Sequence, residues 1–465
     1  MKRTGRQPIQ KILALLFGVM LIAASCGSSD DSTSDAGDTE TTAAASDTET
    51  TEASGDTETT EASGDTETTE AAAPAADPTA TDGFDGTTIN VGVLTALSGP
   101  AAVIGTQLAA GQQVYFDYLN TELGGVAGKY PVEIMLEDHL YDTASTVQKY
   151  GKIKDDVVMF SQIMGTASVF ATMPLLAEDN IIAAPASQDA FWVREQNLFP
   201  VIEPYQVDVI NGMAYYVGEG GGSVDDTICA IIQNDLYGEA GLEGLEYAAA
   251  ELGFEIAAVT RYGAGDQDFT AQVTELVNAE CDMVWATALP SEFGGILGTA
   301  AQSQFTPRWI AQSPAWIDVL ILTPLADYME AYVWVAALGQ EWGDPDSADM
   351  TALVERAAIY GNDQAPNYYF TFGYLQAWGV HQILEAAVAN GDLSREGLIT
   401  AMNSLEVLDF GDLSPAYTYG PPEDRNPPRG TTIFEVDAAK PFALGSLSTN
   451  FTSPAAESYE FPEAG

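Results

Sequence analysis

Basic residues are scarce in this chain. Its 465 residues include 16 Lys and Arg against 68 Asp and Glu, with two His and three Cys, for a formal net charge of −52. So acidic a surface repels phosphate backbones and anionic lipid head groups, which excludes nucleic acid as a partner. The imbalance reads as adaptation to a salty medium. With two histidines and no H-E-x-x-H, C-x-x-C or G-x-S-x-G, zinc hydrolysis and serine-esterase chemistry lack their parts. The Gly-rich run at 218–222 precedes a predicted strand instead of following one, the wrong context for a dinucleotide loop. No catalysis, cofactor or metal is expected.

A membrane-spanning run is also missing at the N-terminus. Residues 12–24 are 13 apolar residues behind Lys2, Arg3, Arg6 and Lys11. A spanning helix needs roughly 20, so this is a signal-peptide core. Residues 27–83 lack Lys, Arg and aromatic residues and carry 16 acids. They repeat A-S-G-D-T-E-T-T-E at 53–61 and 62–70, with a degenerate copy at 45–52. Such a segment cannot bury enough apolar surface to offset ordering, so a disordered tether is predicted, spanning about 40 Å r.m.s. as a flexible coil.

From residue 84 onward, strand and helix patterns alternate twice. Strands are predicted near 89–95, 132–137, 157–162 and 181–184. After the 218–222 break they resume near 227–232, 255–260, 283–287, 309–312 and 332–338. Residues 101–122 place Leu108, Gly111, Tyr115 and Tyr118 on one helical face. Long helices follow at 369–389 and after Ser394, a predicted N-cap. A last strand reads T-T-I-F-E-V. Apolar strands separated by helices mean parallel sheets covered on both faces, and this length suits two cores. The fold class is α/β, with two doubly wound Rossmann-like lobes.

Candidate site residues follow from where strands hand over to helices. Ser98 precedes one helix, and Thr166, Ala167 and Ser168 open another. Free N–H groups and the helix dipole there favour an anion, such as a ligand carboxylate. Ser187 and Gln188 end the next strand. In the second half, Tyr237 offers an aromatic face, while Leu289 and Ser313 to Trp316 follow the third and fourth strands. Asp189 and Glu292 are candidates to meet a ligand ammonium. His139 is placed on the cleft rim and His381 in a helix core face. Cys229 and Cys281 lie in or beside neighbouring strands. Bridges between parallel strands are awkward in geometry, so two buried free thiols are expected.

Five blocks in order resemble the branched-chain amino acid/amide class of periplasmic-type solute-binding proteins. They are residues 88–138, 165–187 (which adds Ala186 to the site), Q-N-D-L-Y-G-E-A-G-L-E-G at 233–244, G-D-Q-D-F-T-A-Q-V-T-E-L at 265–276, and N-Y-Y-F-T-F-G-Y-L-Q-A-W at 367–378. Leu289 stands near a place where the amino-acid binders often carry an aromatic residue. The resemblance implies a type I periplasmic-binding fold whose lobes are joined by three crossings, near 200–205, 338–343 and 406–413. It implies residues 84–203 plus 341–408 as the first lobe and 204–340 plus 409–465 as the second. Residues 23–27 resemble a lipobox, which implies cleavage after residue 25, lipidation of Cys26 and a tether over 26–83. The implied function is capture of a small solute, an amino acid of branched-chain type or an amide, by hinge closure. The implied partner is an ABC permease, with the protein monomeric and lipid-anchored on the outer face of the cell membrane. A ligand-sensing ectodomain without transport is the alternative.

Overall fold

The computed structural model describes residues 76–362 and 365–464. The signal segment, Cys26 and the tether through residue 75 lie outside the described residues. Residues 76–83, expected within the tether, already sit on the first lobe. Asp77 accepts from the Lys129 ammonium at 2.6 Å and the Tyr130 hydroxyl at 3.1 Å, and the Gly83 carbonyl accepts from Asn90 N at 2.8 Å.

The first lobe begins with β1 (Ile89–Thr95), α1 (Ala102–Glu122), β2 (Val132–Asp138), α2 (Thr143–Ile153), β3 (Met159–Met164), α3 (Thr166–Asp179) and β4 (Ala183–Ala186). Its four strands are all parallel, in the order β2-β1-β3-β4. The second lobe runs through α4 (Tyr205–Gly218), β5 (Ile228–Gln233), α5 (Leu236–Leu252), β6 (Ile256–Tyr262), α6 (Thr270–Asn278), β7 (Met283–Thr287), α7 (Pro290–Gln302), β8 (Arg308–Gln312), α8 (Ala326–Tyr332) and β9 (Val333–Ala337). Every residue of β5 and of β7 is buried, as strands covered on both faces must be.

The chain then returns to the first lobe with α9 (Ala348–Tyr360), α10 (Tyr368–Ala389), α11 (Arg395–Ser404) and the short pair β10 (Val407–Leu408) and β11 (Tyr417–Thr418). Ser394 caps α11, donor Gly397 N, as expected. The chain ends in the second lobe with β12 (Thr431–Val436), β13 (Leu444–Phe451) and α12 (Pro454–Ser458). The second sheet is ordered β13-β12-β9-β8-β7-β5-β6, with β12 and β13 antiparallel additions at one edge.

Two features depart from expectation. Phe410, Leu413, Tyr417 and Tyr419 pack in the first lobe's core, and the fully buried Arg425 donates to the carbonyls of Glu195 and Leu198 at 2.9 and 3.0 Å. The third passage between lobes therefore lies just before Thr431, not at 406–413. Residues 409–430 are a Pro- and Gly-rich stretch with no periodic signal, held by these side chains, by Arg425 and by Arg194, whose Nη1 donates to the Pro422 and Arg425 carbonyls at 2.6 and 2.8 Å. Cys229 and Cys281 form a disulfide, with Cα atoms 5.9 Å apart. The objection to a bridge applied to partners facing each other in a ladder. Cys229 pairs with Val284 in that ladder, whereas Cys281 precedes β7 and lies outside it.

Helices α1 and α10 touch backbone to backbone. A Cβ on Gly111 would lie 2.1 Å from the Phe370 carbonyl oxygen, and one on Gly373 would lie 2.0 Å from that of Leu108. This close crossing brings the first turn of α10 to the cleft.

Candidate functional site

The C-terminal ends of both sheets face each other across a small cavity of about 40 Å³. Ile104, Leu108, Tyr141, Met164, Gly165, Thr166 and Ala186 line it from the first lobe, joined by Tyr369 and Phe372 from α10. Tyr205, Tyr237, Leu289 and Pro314 complete it from the second. No charged side chain is among these thirteen. The lobes are in contact across it. Tyr369 Oη donates to the carbonyls of Ser313 and Trp316 at 3.0 and 2.6 Å, and Ser313 Oγ donates to Gln188 Oε1 at 3.4 Å.

Tyr237 is positioned by its helix start. Asp235 accepts from Tyr237 N and Gly238 N at 3.1 Å each, an N-cap that fixes the first turn of α5. Only glycine fits at 238, because a Cβ there would come within 1.8 Å of the Gln233 carbonyl oxygen. The Tyr237 ring packs on Tyr205 with centroids 5.2 Å apart, and its hydroxyl donates to the Ala288 carbonyl at 3.2 Å. Burial raises the hydroxyl pKa of Tyr141, Tyr205, Tyr237 and Tyr369, so all four stay protonated. Tyr237 and Tyr369 thus tie their hydroxyls to backbone carbonyls, and all four tyrosines line the cavity.

Tyr141 reaches over from the loop after β2 with φ 59°. His139 Nδ1 accepts its backbone N–H at 3.0 Å, and burial lowers the imidazole pKa to about 4, so the ring is neutral. His139 is therefore fully buried beneath the rim, holding Tyr141. A Cβ on Gly165 would lie 2.8 Å from the Tyr141 ring. Gly165 leads into α3 without a side-chain cap, leaving the helix's first N–H groups beside the cavity.

Of the residues singled out from sequence, Thr166, Ala186, Tyr237 and Leu289 line the cavity together. Ser187, Gln188 and Ser313 form a buried layer behind it, with Thr166 Oγ1 and Ser187 Oγ 2.7 Å apart. Ala167 is half-buried, and the Ser168 hydroxyl pairs with Thr146 at 2.8 Å. Ser98 is exposed and donates to Asp138 at 2.6 Å, outside the wall. Trp316 is core, its Nε1 donating to the Phe442 carbonyl at 3.0 Å. Asp189 receives the Phe191 N–H and Gln206 Nε2 at 3.1 and 3.2 Å and faces an outer groove. Glu292 Oε1 accepts from Gly265 N at 2.8 Å in the first turn of α7. His381 lies between Tyr115 Oη at 2.8 Å and Glu385 at 3.0 Å, a satisfied packing role.

Sequence reasoning missed Tyr141, Tyr205, Tyr369 and Phe372. A Tyr-Tyr-Phe-x-Phe run opening a helix was visible, but its approach to the cleft depends on the α1/α10 crossing. Among the described residues there is no group of acids, His and Cys able to hold a metal, and no helix long and apolar enough to cross a membrane.

Two α/β lobes joined by three passages, with a cavity at the facing strand ends, define a two-lobed solute-binding protein. The chain belongs to the periplasmic binding protein family, whose model matches residues 88–441. It is similar to the leucine-, isoleucine-, valine-, threonine- and alanine-binding protein of Pseudomonas aeruginosa, 23% identical over 228 residues. That match takes in 48% of this chain and 60% of the relative's length. A fatty acid ABC transporter substrate-binding protein from Thermomonospora curvata superimposes with a TM-score of 0.76 at 25% identity, over 84% of this chain and 98% of that one. A branched-chain amino acid ABC transporter protein from Thermus thermophilus, solved with valine, shares the fold with a TM-score of 0.68 at 19% identity, over 80% and 98% of the two chains.

Proposed function

We propose that this protein captures a small solute with an apolar body and a carboxylate head, closes its lobes on it, and delivers it to an ABC importer. The interlobe cavity carries this reading. Its walls are aliphatic side chains and tyrosine rings, while uncapped N–H groups of α3 sit at one side for the head. Branched-chain amino acids, the expectation from sequence, and fatty acids, the ligand class of the Thermomonospora relative, share that chemistry. The protein acts as a monomer on the outer face of the membrane, held by lipid on Cys26 and the acidic tether. Ligand can drive closure only through its higher affinity for the closed form.

The test is small-angle scattering with and without solutes that raise the melting temperature, since a ligand of the folded state must stabilise it. A fall in radius of gyration is expected on binding. Binding without any change in radius would remove closure from the mechanism. Tyr237→Ala should weaken capture about tenfold or more, roughly 1.4 kcal/mol, by calorimetry; unchanged affinity would remove that ring from the site.

A further inference from the structure

A second concavity lies outside the cavity, where α3 of the first lobe touches α5 of the second. This groove measures about 530 Å³. Phe170, Asp189 and Phe191 line it from the first lobe, and Leu236, Glu239, Glu243 and Glu246 line it from α5. Positions 236, 239, 243 and 246 recur every three or four residues, so they share one face of the helix. Three like charges at that spacing repel one another and weaken the helix. Arg261 offsets Glu239, to which it is paired, and among the described residues no cation pairs with Glu243 or Glu246.

Asp189 is an independent sign of a ligand. It is only 7% exposed, yet it lines the groove. Its Oδ1 takes both of its hydrogen bonds, from Phe191 N at 3.1 Å and Gln206 Nε2 at 3.2 Å, which leaves Oδ2 without a partner. Burial, with the Glu243 charge adding to it, raises the Asp189 pKa to about 6. A cation in the groove would relieve both effects. Gln206 Nε2 also donates to Glu243 Oε2 at 3.2 Å, so one amide holds an acid from each lobe side by side. Phe170 and Phe191 add two half-buried rings with centroids 5.4 Å apart, and aromatic faces attract cations. These acids do not form a group able to hold a metal ion. The chemistry that fits is an organic cation on an apolar stem.

We propose that this groove is a second binding site, separate from the cavity, for a small organic cation. Its guanidinium or ammonium meets Asp189 and Glu243, while its alkyl stem lies along Phe170, Phe191 and Leu236. Because these contacts come from both lobes, the bound cation favours the form in which the lobes are together.

Isothermal calorimetry on the purified protein with agmatine, which carries a guanidinium and an ammonium at the two ends of a butyl stem, tests this. At physiological salt, where attraction to the net charge is screened, agmatine should bind saturably with a Kd of about 1 mM or tighter. Asp189→Asn keeps the Oδ1 acceptor and should fold, as its melting temperature will show, yet weaken agmatine about tenfold or more. Glu243→Gln should weaken it in the same direction. Glu275→Gln removes an equal charge from an exposed position on α6 and should change nothing. Leu289→Ala, in the cavity wall, should also leave agmatine affinity unchanged. No saturable binding overturns the site. Equal weakening by Glu275→Gln and Asp189→Asn reduces it to general charge attraction and overturns it too. Weakening by Leu289→Ala with none by Asp189→Asn places agmatine in the cavity and overturns the groove. Solute capture stands or falls separately, because the agmatine titration needs no solute in the cavity.

Discussion

Glu203 shows how much one side chain can impose on this fold. It lies in the first passage between lobes, fully buried, with Oε1 unpartnered. Burial raises its pKa from 4.5 to about 8. Asp208, at the start of α4, is raised too, by burial and by the Glu203 charge; its Oδ1 accepts from Thr431 Oγ1 at 2.9 Å and its Oδ2 has no partner. A raised carboxyl keeps its proton in the folded state after the unfolded chain has released it. The contribution of Glu203 to stability is therefore fullest below about pH 4.5 and is lost as pH rises toward about 8. Glu203→Gln should remove part of that loss. Its melting temperature relative to the parent should climb between pH 5 and pH 8, measured by calorimetry at both values. Parallel curves would mean that Glu203 is not the group titrating. No charge pattern in the sequence singled out this residue among 68 acids; burial alone does.

At the scale of elements, local signals read well where they are local. Strand positions, the Ser394 cap and the handover sites at Thr166 and Tyr237 followed from period and punctuation, because each depends on neighbours in sequence. The disulfide did not. Cys229 and Cys281 are 52 residues apart, and their meeting depends on Cys281 lying one step outside the β5/β7 ladder. Closing a loop of that length in the unfolded chain gives about 4 kcal/mol as an entropic upper estimate. A Cys229→Ser/Cys281→Ser double variant should therefore melt several degrees lower in the second lobe, and reductant should lower the parent toward it. A parent insensitive to reductant and equal to the variant would contradict a stabilising bridge. The α1/α10 contact was equally hidden. Gly111 read as one residue on a helical face, and its partner Gly373 lies over 260 residues away.

At the scale of the molecule, the charge imbalance acts as a whole. With 68 acids against 16 bases, mutual repulsion disfavours the compact state, and salt shortens its reach from about 10 Å at 0.1 M to about 3 Å at 1 M. Adding sodium chloride over that range should raise the melting temperature; a flat or falling response would mean the acids are arranged so that repulsion is already small. Composition, periodicity and block order by themselves determined the α/β class, two lobes and a solute-binding family, because these depend on patterns that run along the chain. Only the tertiary structure decided which residues make the cavity wall, that Ser98 and Trp316 lie outside it, and that no charge lines it. Those facts depend on how strand ends from two sheets and one returning helix converge, and convergence in space leaves no mark on the order of residues.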